Sequence, residues 1–148
     1  MSVIDHDAFE SAKKSPEQPD WASPYEFARA ILLTAQEKTD HRASYSELWE
    51  HLHGEPPHYR SFFRKFSTPF ADLGRTSIVL KLPYINALIV SKRTRQPSRA
   101  AVDNMAEFIK VHGIATGRNA REYLDEQAKL AEKLTLKDLD RAFVAFRA

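Results

Sequence analysis

Between His58 and Arg99 the chain carries nine lysines and arginines (Arg60, Arg64, Lys65, Arg75, Lys81, Lys92, Arg93, Arg95 and Arg99) against one acid, Asp72, a formal charge of +8. The chain of 148 residues is only +2 overall, so everything outside this stretch is −6. Charged groups are costly to bury, so a fold has to leave these cations outside while the apolar residues between them turn inward. Tyr59, Phe62, Phe63 and Phe66 recur at helical spacing, which predicts a helix with those rings in the core and Arg60, Arg64 and Lys65 outward. A field of one sign attracts a polyanion at long range and neutralises phosphates at short range. Charge alone does not separate that reading from a solvated basic face with no partner.

The totals set the frame. A chain of 148 residues is expected to form one domain around one core. With no cysteine, disulfides, thiolate zinc sites and thiol nucleophiles are excluded. Only four glycines occur, which disfavours Gly-rich phosphate loops and points to a mainly helical chain. The longest apolar runs, such as Ile85 to Val90, are far too short to span a membrane, and the polar, acidic first twenty residues do not read as a signal peptide. A cytoplasmic protein is expected.

Read in order, residues 1–22 form an expected flexible arm, in which Ile4 and Phe9 are the residues able to dock. Ser23-Pro24-Tyr25-Glu26 predicts a helix start with a capping box, followed by Phe27, Ala30, Ile31 and Ala35 at helical spacing to about Lys38. Ser44 and Glu47 open a second helix with Leu48, Trp49 and Leu52 inward, closed by a left-handed Gly54. Thr68-Pro69 restarts a helix carrying Phe70, Leu73, Ile78 and Leu80, and Pro83 ends it. Tyr84 to Ser91, rich in β-branched residues, is the one convincing strand, and Lys92 to Pro97 a basic turn. Beyond Arg99 the chain is helical again. One helix carries Val102, Met105, Phe108 and Ile109 up to Gly113. A second opens at Asn119, with Tyr123, Leu124, Ala128, Leu130, Ala131 and Leu134. A last one, capped through Thr135 and Asp138, carries Leu139, Phe143 and Phe146.

Two capped helices, a basic third helix and a hydrophobic strand ending in a basic turn follow the order of a winged helix-turn-helix. There one helix enters the major groove and the wing contacts the adjacent backbone. The segment Leu82-Pro83-Tyr84-Ile85-Asn86-Ala87-Leu88-Ile89-Val90-Ser91-Lys92-Arg93-Thr94, followed by Pro97, resembles a strand-and-wing motif of small winged helix-turn-helix DNA-binding proteins of bacteria and phages. Leu73-Gly74-Arg75 and Tyr45-Ser46-Glu47-Leu48 match as well, so the resemblance covers roughly residues 43–111. Where that family places glycines near positions 94 and 97, this chain has Arg95 and Ser98, and Ser91 stands where asparagine is commoner. The resemblance implies a mainly α fold with a winged-helix core over residues 23–100, a short β wing, and helices over 101–148 packed on the same domain. It also favours the helix containing Leu73-Gly74-Arg75-Thr76 as the inserted one.

Candidate DNA contacts are Arg60, Arg64, Lys65, Arg75, Thr76 and Lys81 on the helices, and Lys92, Arg93, Arg95 and Arg99 in the wing. Asn86, mid-strand, is expected to satisfy backbone groups. His51, His53 and His58 do not converge on a helix, which argues against a metal site. No Asp or Glu is followed two residues later by Lys, and no Gly-x-Ser-x-Gly pattern occurs, so neither a metal nuclease core nor a nucleophile elbow is encoded. The expectation is a non-enzyme without cofactor that binds double-stranded DNA, as a transcriptional regulator or an accessory factor of a phage or mobile element. The alternative is a protein-binding module whose basic face docks on an acidic protein, such as an inhibitor of a bacterial defence or nucleic-acid enzyme. Apolar faces on the terminal helices raise a homodimer as a further expectation.

Overall fold

Phe66 is the packing centre. The computed structural model describes residues 19–147, with side chains as far as Val144. Phe66 is fully buried there, with the rings of Trp21, Phe27, Tyr45, Trp49, Phe62 and Phe70 around it at centroid distances of 5.6 to 6.5 Å. Most of these pairs meet edge to face, the geometry that ring quadrupoles favour. The six rings come from five separate stretches of chain, so this cluster joins the N-terminal half of the fold.

Helix α1 (Pro24–Gln36) begins with only half of the expected capping box: Ser23 accepts from the Glu26 amide and Pro24 occupies the first turn, but the Ser23 amide donates to the Asp20 carbonyl rather than to the Glu26 side chain. Phe27, Ala28, Ala30, Ile31, Leu32, Thr34 and Ala35 are all buried, more than one face of a helix, because neighbours pack on it from several sides. Strand β1 (Ala43–Ser44) leads directly into α2 (Tyr45–His53), whose capping box is complete: Glu47 N donates to Ser44 Oγ at 3.1 Å and Ser44 N to Glu47 Oε1 at 2.8 Å. Gly54 closes α2 with φ +78°, and its amide returns to the Glu50 carbonyl at 2.7 Å. A 3₁₀ segment, Arg60–Phe66, runs into α3 (Ser67–Leu80). A second one, Ile85–Leu88, precedes β2 (Ile89–Val90). Helices α4 (Arg99–His112), α5 (Ala120–Ala131) and α6 (Leu136–Arg147) complete the described chain.

The C-terminal helices share the core. Leu124, Ala128, Ala131, Leu139 and Phe143 are buried in the same cluster as Phe27 and Leu88. Gln127 accepts from the Tyr84 amide at 2.9 Å, Arg42 pairs with Glu132 at 2.7 Å, and the Tyr25 hydroxyl donates to Asp140. Thr135 and Asp138 exchange hydrogen bonds at 3.0 Å ahead of α6, as their spacing predicts.

Several expectations are corrected. The strand expected over 84–91 shrinks to Ile89–Val90, because Ile85–Leu88 takes a 3₁₀ turn that puts Ile85 and Leu88, three apart, into the core. The two-residue β2 pairs in parallel with β1 (Ala43 opposite Ile89, Ser44 opposite Val90), and no returning wing strand occurs among the described residues. The helix expected from His58 is the 3₁₀ segment instead: its tighter winding leaves Phe63 48% exposed, and Tyr59, in extended backbone just before it, is 45% exposed. Leu130, expected inward on α5, is 44% exposed. Trp21 and Ala22, assigned to the arm, are packed, with Ala22 buried and Trp21 5.9 Å from Phe27. Ile4, Phe9 and the Phe146 side chain lie outside the described residues. No described helix is long and apolar enough to cross a membrane.

Candidate nucleic-acid interface

Seven cations of the basic stretch, Arg60, Arg64, Lys65, Lys81, Lys92, Arg93 and Arg99, are exposed, and none has an ion-pair or hydrogen-bond partner among the described residues. Among the described residues, Glu126 pairs with Arg118, Asp125 with Arg121 and Glu132 with Arg42, while Asp40 and Glu47 pair with Arg95 of the basic stretch itself. Among the described residues, no acid therefore answers these seven cations, whereas Arg75 and Arg95 of the same stretch are each paired.

Helix electrostatics add to it. Helices α1, α2, α5 and α6 each carry an acid in the first turn, where it complements the positive end of the macrodipole. Helices α3 and α4, which begin inside the basic stretch, carry none, and α4 opens on Arg99. A cation at a helix N-terminus works against the dipole, and the start of α4 is held by Ser98, whose hydroxyl accepts from the Ala101 amide at 3.1 Å.

The two parts of the stretch that sequence spacing leaves apart meet across one cavity of about 420 Å³. It is lined by Ser44 to Ser46 at the start of α2, by Phe62 and Phe63, and by Lys92, Ser98 and Ala100. The segment carrying Arg60, Arg64 and Lys65 is thus beside the turn carrying Lys92 and the start of α4 at Arg99. Phe62 is held edge-on by Trp49 at 5.5 Å and by Phe66 at 6.4 Å, and Phe63 lies outside it at 6.3 Å. Tyr45, also lining the cavity, is mostly buried, and that burial pushes its hydroxyl pKa upward.

Three predicted contacts are otherwise occupied. Thr76 is buried, with its hydroxyl donating to the Asp72 carbonyl at 2.8 Å, which takes it out of reach of a ligand. Arg75 is exposed but pairs with Asp72 one turn back. Burial pushes the Asp72 pKa up, and the Arg75 charge opposes that push. Arg95 turns inward and clamps the basic turn: Nε and Nη2 donate to the Asp40 carboxylate at 2.9 and 3.0 Å, Nη1 to Glu47 Oε1 at 2.8 Å, and Nη2 to the Arg42 carbonyl at 3.1 Å. The Asp40 pKa is held below its usual range by that Arg95 hydrogen bond. Burial alone raises Glu47, but the Arg95 bond, the Ser44 amide and the charges of Arg95 and Lys38 together bring it below its usual value. The turn itself is closed by Arg95 N to Ser91 O at 2.8 Å and Ser91 N to Gln96 O at 2.9 Å. This leaves Lys92, Arg93 and Thr94 exposed.

Asn86 satisfies backbone, donating to the Phe70 carbonyl at 2.8 Å. His53 stacks on Trp49 at 3.8 Å and His58 lies 3.2 Å from Glu55. No group of three or more metal-ligating side chains occurs among the described residues. The exposed Phe63 beside Lys92 is the feature that sequence periodicity missed. Only the departure from α to 3₁₀ winding over 60–66 displays it. No protein-family model, curated protein or solved structure matches the chain.

Proposed function

We propose that this protein binds double-stranded DNA through residues 58–99, sequence-specifically or semi-specifically, as a transcriptional regulator or an accessory factor of a phage or mobile element. The element order α1, β1, α2, 3₁₀–α3, β2 and basic turn is that of a winged helix-turn-helix reduced to a minimal sheet. On this reading the exposed cations of the 3₁₀ segment (Arg60, Arg64 and Lys65) and of the turn at Lys92 and Arg93 grip phosphate, since Arg75 and Thr76 on α3 are already engaged. The observation that carries the reading is the set of seven exposed cations without acidic partners among the described residues, with Arg99 set against its own helix dipole. Neutralising phosphates releases condensed counterions, so affinity falls steeply with salt.

The test is fluorescence anisotropy with a random-sequence duplex over a salt series. About six phosphate contacts give a loss of roughly a thousandfold between about 50 and 200 mM salt. No binding at low salt, together with a stoichiometric protein partner in a pull-down, favours the protein-binding alternative and overturns this one.

A further inference from the structure

Phe63 is a large aromatic ring left about half in water, on a short turn whose other exposed residues include Arg60, Arg64 and Lys65. It lines a cavity of the size that holds small organic ligands, and Lys92 lines the same cavity. No acid lines it, while Arg99 stands between two of its lining residues, Ser98 and Ala100. A purely apolar occupant would leave those cations unanswered, and a simple anion would leave the ring and the apolar wall unused. A nucleobase with its phosphate uses both: a flat π face for Phe63 and an anion for Lys92.

We infer that this cavity receives one nucleobase turned out of a DNA strand, stacked on Phe63 with its phosphate held by Lys92. The inference rests on the DNA-binding reading above and narrows its substrate to duplexes with an unpaired or easily unstacked base. Phe62, wedged edge-on between Trp49 and Phe66, fixes the wall behind Phe63, so the ring is supported for stacking. A base inside an intact duplex has both faces covered by its neighbours. Only an extruded base, or one already unpaired, has a free face to offer, and extrusion is least costly where pairing is already absent.

The experiment compares three short duplexes of one sequence: fully paired, carrying one unpaired 2-aminopurine, and carrying an abasic residue in place of that base. The wild-type chain binds the 2-aminopurine duplex about tenfold more tightly than either control, within the range that base–aromatic stacking supplies, and quenches its fluorescence. Phe63→Ala removes that preference and the quenching while leaving affinity for the paired duplex and its salt dependence unchanged. Phe63→Trp keeps both. Phe63 is exposed, so neither variant disturbs the core, and circular dichroism checks this. Equal wild-type binding to all three duplexes, or a preference that survives Phe63→Ala, overturns the inference and leaves the DNA-binding reading standing. Displacement of the 2-aminopurine duplex by free deoxyadenosine monophosphate at equal concentration assigns the cavity to free nucleotides and overturns it too. Absence of binding to every duplex at low salt removes both readings together.

Discussion

Arg95 offers the sharpest quantitative test, because two opposing effects at one residue can be separated by two substitutions. Its backbone sits at φ +57°, a left-handed conformation that costs a residue with a Cβ about 1–2 kcal/mol relative to the right-handed form. Its side chain offsets that cost. The Glu47 pair, with side chains 30% and 19% exposed, is a charge-assisted bond of about 1.5 kcal/mol. The Asp40 pair is two-pronged but more exposed, at 37% on the acid, and after solvent screening contributes about 0.5 kcal/mol. Arg95→Ala keeps the left-handed backbone and loses both pairs, so it destabilises by about 2 kcal/mol, a fall in Tm of roughly 4–8 °C for a chain of this size. Arg95→Gly loses the same pairs but relieves the backbone, and recovers about 1 kcal/mol of that loss. Urea titrations of the three proteins, followed by circular dichroism, measure both differences. An alanine variant within 0.5 kcal/mol of wild type, on the order of the noise expected for a surface change, refutes the clamp. A glycine variant less stable than the alanine one refutes the backbone argument.

Acid enters through the same clamp: Asp40 and Glu47 have folded pKa values below their unfolded ones, so their contribution is complete above about pH 4.3 and is lost as pH falls through the folded values. The stability gap between wild type and Arg95→Ala therefore narrows below about pH 4, and a gap that widens there falsifies the assignment. Phe66→Ala empties the centre of six rings and costs about 3–5 kcal/mol in the same titration; a loss below about 1 kcal/mol contradicts the packing described. A Cβ at Gly74 already meets Phe108 Cε2 at 3.1 Å and Tyr84 Cε1 at 3.4 Å, so Gly74→Val costs about 2 kcal/mol by overpacking, and neutral behaviour means α3 and α4 do not approach as closely as shown. Reversing both Lys92 and Arg93 to Glu weakens all DNA sequences alike and flattens the salt dependence, whereas Arg95→Ala leaves the salt slope unchanged; an unaltered slope in the double reversal places the phosphate contacts elsewhere.

Helix starts were legible because capping is local. Ser23 with Glu26, Ser44 with Glu47, Asn119 with Glu122 and Thr135 with Asp138 each act within three residues, and in each the first side chain caps the amide three on, although at Ser23 the return bond of a full capping box is not made. The cations were legible too, because exposure of a charge needs no knowledge of its neighbours, only the cost of burying it. What a cation faces, however, is a long-range property. Arg95 meets Asp40 and Glu47 from about fifty positions away, and nothing in the Lys92–Pro97 composition distinguishes it from Arg93. The segment 84–91 reads as a strand because β-branched residues suit a pleated surface, but strand length is set by the partner available. Here only Ala43 and Ser44 present one, so the rest of the segment buries its side chains in a 3₁₀ turn. Likewise Phe62 and Phe63 are equivalent in the sequence. Only the packing of Trp49 and Phe66 against Phe62 decided that it is partly buried while Phe63 stands half exposed, both facing a cavity shared with Lys92.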